Sequence, residues 1–158
     1  MKAATIKQIK TELSHRSQQE LVELCLRLSK FKKENKELLT YLLYESHNEE
    51  AFIQGIKEEM DELFSIINTD SYFYIKKSVR KILRRVKTYN RYSKKKETEV
   101  ELMIYFCTSL KNMEPSMKSN VSLHNIYLRQ VDAIKKAISA LHEDLQYDYE
   151  IELQELVG

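Results

Sequence analysis

An all-α fold is what this 158-residue sequence predicts, and two observations carry it. Only Gly55, Gly158 and Pro115 supply turn residues, too few for the tight turns of an antiparallel sheet. Apolar residues also recur at intervals of three and four along most of the chain, the period of a helix with one buried side. The expected architecture is an irregular antiparallel helical bundle of six to seven helices in a single domain, residues 1–158. The length suffices to bury a core without disulfide or metal staples. Stacked helical hairpins of the HEAT type come second, because no repeat period is visible. The acidic tail, 146–158, is either a last short helix or a frayed end.

Taken in order, Ile6, Ile9 and Leu13 mark a short first helix. Ser17-Gln18-Gln19-Glu20 has the form of a capping box opening a second helix, whose apolar face is Leu21, Leu24, Cys25 and Leu28. Lys30 to Glu37 is a turn or a solvated stretch of helix before the apolar patch Leu38 to Leu43, and two helices are expected here. Asn48 is the expected N-cap of a helix over about 49–67 that buries Phe52, Ile56, Met60, Leu63 and Ile67. Gly55 inside it suggests the close approach of a neighbouring helix. Val100, Met103, Ile104, Cys107 and Leu110 define one face of a later helix. Leu123, Tyr127, Val131, Ile134, Ile138, Leu141 and Leu145 form the most regular helical repeat in the sequence.

Composition removes several kinds of chemistry. Two glycines, one of them terminal, cannot build a phosphate-cradling Gly-rich loop. His15, His47, His124 and His142 are scattered, no Cys-x-x-Cys pair occurs, and Glu12-x-x-His15 is one of the two Glu-x-x-His motifs that a di-iron bundle needs beside two further Glu. Cys25 and Cys107 both fall among apolar residues, which predicts packed, reduced thiols rather than nucleophiles. Neither an enzymatic site nor a cofactor or metal is expected. No apolar leader or membrane-length apolar run is present, and the chain reads as cytoplasmic, with no membrane partner.

One stretch departs from the average. From Lys76 to Lys96 there are eleven Lys or Arg and no acid, leaving 15 bases against all 24 acids elsewhere, a balance of −9. Tyr72, Ile75, Val79, Ile82, Leu83, Val86 and Tyr89 make the apolar stripe of this helix, which is expected to fray near Tyr92. Lys77, Lys81, Arg84, Arg91 and Lys95 share the opposite, outward face, and Lys94 and Lys96 extend it. Lys76, Arg80, Arg85 and Lys87 flank the stripe and can lay their methylenes on its edges.

Residues 5–43, TIKQIKTELSHRSQQELVELCLRLSKFKKENKELLTYLL, resemble the N-terminal segment of a bacterial family of uncharacterised all-helical proteins. That family pattern is a short Lys-rich helix, a Ser-capped turn and a Leu-rich helix before a Lys-rich stretch. The resemblance implies an all-helical fold and transfers no site residues. The segment is also similar to the helix-turn-helix of SAP nucleic-acid modules, whose glycine between the helices is absent here. The function expected is that of a non-enzymatic interaction module. Its basic helix, 76–96, would recognise an acidic protein partner or, alternatively, a nucleic-acid backbone, with Tyr74, Tyr89 or Tyr92 stacking on bases. The competing, intramolecular reading pairs the same cations with the acidic helix Glu49 to Glu62 or with the acidic tail.

Overall fold

Helix starts are set by short-range hydrogen bonds that the sequence spells out. Ser17 Oγ accepts from the Glu20 N–H at 3.2 Å, while the Glu20 carboxylate accepts from the Ser17 N–H at 3.2 Å. Those bonds, the backbone one foremost, hold the Glu20 carboxyl below its usual range. Thr5 and Gln8 form a second such box, and Asn48 and Asn120 cap later helices by accepting from Ala51 N–H and Leu123 N–H. Ser71, at the cap position of the basic helix, makes no side-chain cap bond.

The computed structural model describes residues 1–158 and is all-helical, with no strand. The helices are α1 Ile6–Ser14, α2 Gln18–Phe31, α3 Lys33–Thr40, α4 Glu49–Ser65, α5 Tyr72–Ser93, α6 Lys96–Asn112, α7 Val121–Ser139 and α8 Glu143–Val157. A π-helical turn, Tyr41–Glu45, follows α3, and a 3-10 turn, Met117–Ser119, precedes α7. No helix is long and apolar enough to cross a membrane.

Eight helices stand where six to seven were expected, and two breaks set the count. Lys32 turns extended at φ −140° and ψ 148°, and Asn35 Nδ2 donates to the Leu28 carbonyl at 2.8 Å across the break. The repeat that runs through Leu145 is not one helix: α7 stops at Ser139, and Gln146 Nε2 donates back to the Leu141 carbonyl at 2.7 Å as α8 begins. The acidic tail is therefore the helix α8, which buries Tyr149, Leu153 and Leu156.

The chain divides into two compact units, Met1–Tyr44 and Glu45–Gly158. In the first, Tyr41 is the only buried side chain, and Leu24, Cys25 and Leu28, expected to face a core, are exposed. Every other buried apolar side chain belongs to the second unit, whose helices gather round α6. α6 touches α4, α5, α7 and α8. Beyond the five residues expected to be buried, it also buries Thr98, Leu102 and Phe106, so both of its sides are covered.

The helices around α6 each present one stripe to it. α4 contributes Phe52, Ile56 and Met60, whereas Leu63 is half-buried and Ile67 lies past the helix end. α5 contributes Ile75, Val79, Ile82 and Val86 and stays helical through Ser93 because Tyr92 is buried rather than frayed. Leu83, placed in the stripe by its spacing, is only half-buried. Gly55 also departs from expectation: a Cβ added there meets nothing within 4 Å, so no neighbouring helix requires the glycine.

Two substitutions test this packing by urea unfolding. Ile82→Ala removes a side chain that is 2% exposed and should cost about 2–5 kcal/mol, clearly more than Leu83→Ala. Gly55→Ala should stabilise the protein by about 1 kcal/mol, because the methyl enters open space and the helix gains propensity.

Candidate polyanion-binding face and the pocket at its end

At 3.6 residues per turn, Lys77, Lys81, Arg84 and Arg91 fall within about 80° of arc on α5, and Arg80 and Lys87 widen that arc to about 120°. All six side chains are exposed. None of them has an acidic partner within ion-pair distance, and Arg80 makes one polar contact, from Nη2 to Ser122 Oγ at 3.3 Å. From Lys77 to Arg91 the row is about 21 Å long at 1.5 Å rise per residue.

The intramolecular reading holds only for the inner flank and the end of the helix. Arg85 Nη2 reaches Glu59 of α4 at 3.5 Å and its guanidinium lies 4.5 Å from the Tyr89 ring centroid. Lys95 pairs with Glu49 at 3.2 Å and Lys96 with Glu99 at 2.9 Å, so these two of the predicted site residues are engaged by acids. Lys94 closes α5 in a left-handed conformation, φ 60°, and is exposed without an acidic partner. Such surface pairs are worth about 0–1 kcal/mol each, too little to count as the reason for eleven cations.

The aromatic residues sort differently from expectation. Tyr92 is buried, and Tyr89 packs edge-on against Phe52 and Tyr92, so neither is open for stacking. Tyr74 is 46% exposed and Phe73 is 67% exposed, in edge-to-face contact with each other at 5.4 Å. Phe73 lies in the same arc as the cations, one turn before Lys77.

Where α5 ends, a pocket of about 540 Å³ opens between α5, α6 and α7. Lys87, Arg91 and Lys94 reach it from α5, and Val100, Met103 and Ile134 line it with apolar surface. Two carboxamides, Asn90 and Gln130, line it as well. Gln130 is only 6% exposed, and the side-chain oxygens of both have no hydrogen-bond partner. A buried carbonyl oxygen left without a partner costs about 1–3 kcal/mol, which sets these two apart from the packing around them.

A second cleft, of about 880 Å³, lies between α4, the start of α6 and the α7–α8 turn. Its charges are met internally, by Lys57 with Glu101 at 2.8 Å and Lys95 with Glu49. Elsewhere no group of three or more His, Cys, Asp or Glu side chains could hold a metal ion. His15, half of the tetrapeptide noted above, donates from Nδ1 to the Thr11 carbonyl at 2.7 Å.

Sequence reasoning placed Lys87 at the flank of the apolar stripe rather than in the site, and did not single out Asn90, Gln130 or Phe73. Gln130 carried a readable signal: it sits three residues after Tyr127 and four before Ile134, inside the buried repeat of α7, where a polar side chain is unusual. The fold and the site thus define a helical protein with one open cationic face. Comparison of the chain with family models, curated proteins and solved structures gave no match.

The thiols give a direct check on the geometry. Cys107 is fully buried, and burial pushes its thiol up to about 12, whereas Cys25 is exposed. At pH 8 the native protein should show one rapidly titrating thiol with Ellman's reagent, lost in Cys25→Ser, and a second only on unfolding.

Proposed function

We propose that this protein is a non-enzymatic helical module that binds single-stranded nucleic acid along the outward face of α5, chiefly through phosphates. One observation carries the reading: exposed cations without acidic partners form a row about 21 Å long that begins at the exposed Phe73 and Tyr74. Lys and Arg neutralise phosphates and release counterions, and aromatic faces stack on bases that only a single strand presents. An acidic protein surface would meet the same cations. The exposed aromatic pair beside the row is what favours nucleic acid over it.

The experiment is a salt titration by fluorescence anisotropy with a labelled single-stranded oligonucleotide. If Lys77, Lys81, Arg84, Lys87, Arg91 and Lys94 all meet phosphates, log affinity should fall against log salt with a slope near −4. Affinity then drops about 300-fold between roughly 50 and 200 mM salt. Charge reversal at Lys77, Arg84 and Arg91 together should abolish binding with little change in stability, because none of the three has an internal partner. Unchanged affinity in that variant, or a negligible salt slope, refutes the reading.

A further inference from the structure

We infer that the pocket at the end of α5 takes one nucleoside monophosphate unit, with its phosphate at the cationic mouth and its base edge at Gln130 and Asn90. The inference rests on the reading of α5 only for the strand context, since a free nucleotide has the same chemistry. Three features converge on this ligand class. Lys87, Arg91 and Lys94 line the pocket without acidic partners, while Lys96 and Glu99, also in the lining, neutralise each other at 2.9 Å, so the pocket favours an anion. The wall holds Val100, Met103 and Ile134, a surface suited to the faces of a flat ring. The lining also includes two carboxamides, Asn90 and Gln130, whose side-chain oxygens have no hydrogen-bond partner, and Gln130 is more than nine-tenths buried.

A bare phosphate would use the mouth and leave both carboxamides unpaired. A fatty acid would use the mouth and the wall and leave them unpaired too. A nucleobase is flat, largely apolar on its faces and lined with donors and acceptors on its edge, and Asn and Gln are the side chains that pair with an adenine edge through two hydrogen bonds. The volume, about 540 Å³, lies within the range of about 300–1,000 Å³ typical of small-ligand sites. The position also suits a strand, because phosphates following the row from Lys77 to Arg91 arrive at this mouth and the next base can turn inward.

The test uses the full chain, with AMP and inorganic phosphate as probes followed by calorimetry and by the side-chain amide signals of Gln130 and Asn90 in ¹⁵N spectra. AMP should bind about tenfold or more tighter than phosphate, shift both amide signals, and lose about tenfold in Gln130→Leu, a change that leaves phosphate binding intact. Should Gln130→Leu perturb the fold, the amide shifts in the unaltered protein decide alone. AMP binding no tighter than phosphate, or no shift at Gln130, overturns the inference. A single-stranded oligoadenylate separates the two sources: Gln130→Leu should weaken it at an unchanged salt slope, whereas charge reversal at Lys77 should lower the slope. Strand binding that is indifferent to Gln130→Leu, with no AMP binding, overturns the pocket and leaves the α5 face standing. AMP binding without strand binding supports the pocket as a free-nucleotide site and refutes the strand reading.

Discussion

The burial of α6 round most of its circumference is the constraint on which the second unit depends. A helix that hides Val100, Leu102, Met103, Ile104, Phe106, Cys107 and Leu110 can meet water only along the narrow edge of Glu97, Glu101, Tyr105 and Thr108, so neighbours must cover the rest. α4, α5, α7 and α8 do so, and each then needs only one apolar stripe of its own. Phe106, in ring contact with Phe64 at 5.9 Å, fills part of the seam toward α4. Toward α8, Tyr149 is buried with its hydroxyl donating to Glu97 at 3.3 Å. Desolvation, with Glu97 and Glu101 nearby, pushes the Tyr149 phenol well above its usual range and keeps it a donor.

The cationic face follows from that arrangement. α5 touches α4 and α6, and these contacts take up its inner side, while Arg80 at the edge of the outer row reaches Ser122 of α7. The acids that could neutralise it sit on α4 and on the first turn of α6, where they reach Arg85, Lys95 and Lys96 at the flank and end of the helix but not the row from Lys77 to Arg91. A chain with a formal net charge of only +2 can thus carry a strongly basic surface, because its charges are separated by helix packing rather than by composition.

Much of this was legible from the residues. The all-α class, the starts of α2 and α4, and the stripes of α4 and α5 follow from capping chemistry and from period. Two kinds of feature were not. The break at Ala140 keeps the helical period on either side, so the apolar pattern runs through it undisturbed, whereas the break at Lys32 falls in the charged run that divides the two helices expected there. Pattern also cannot say whether an apolar stripe finds a partner: Leu21, Leu24, Cys25 and Leu28 have the spacing of a buried face, yet three of the four are exposed. The cationic face was readable as a helix face but not as an open one, because openness depends on where α4 and α6 put their acids. The pocket was not readable, since it joins residues from three helices.

The two units hold their helices by different means, and this bears on what each can contribute. In the second unit, α4 to α8 are kept helical by burial against α6, so the α5 face is presented on a rigid support, as a recognition surface needs. In the first unit, the capping boxes at Thr5 and Ser17 and the Asn35 bond to the Leu28 carbonyl supply local hydrogen bonds in place of a core. Helices of 9, 14 and 8 residues held in that way are near the length at which an isolated helix is marginal in water. Their exposed leucines add no stability while they remain in water, since apolar area stabilises only when it is removed from it. The first unit is therefore the low-stability end of the chain, opening more readily than the α6-centred core.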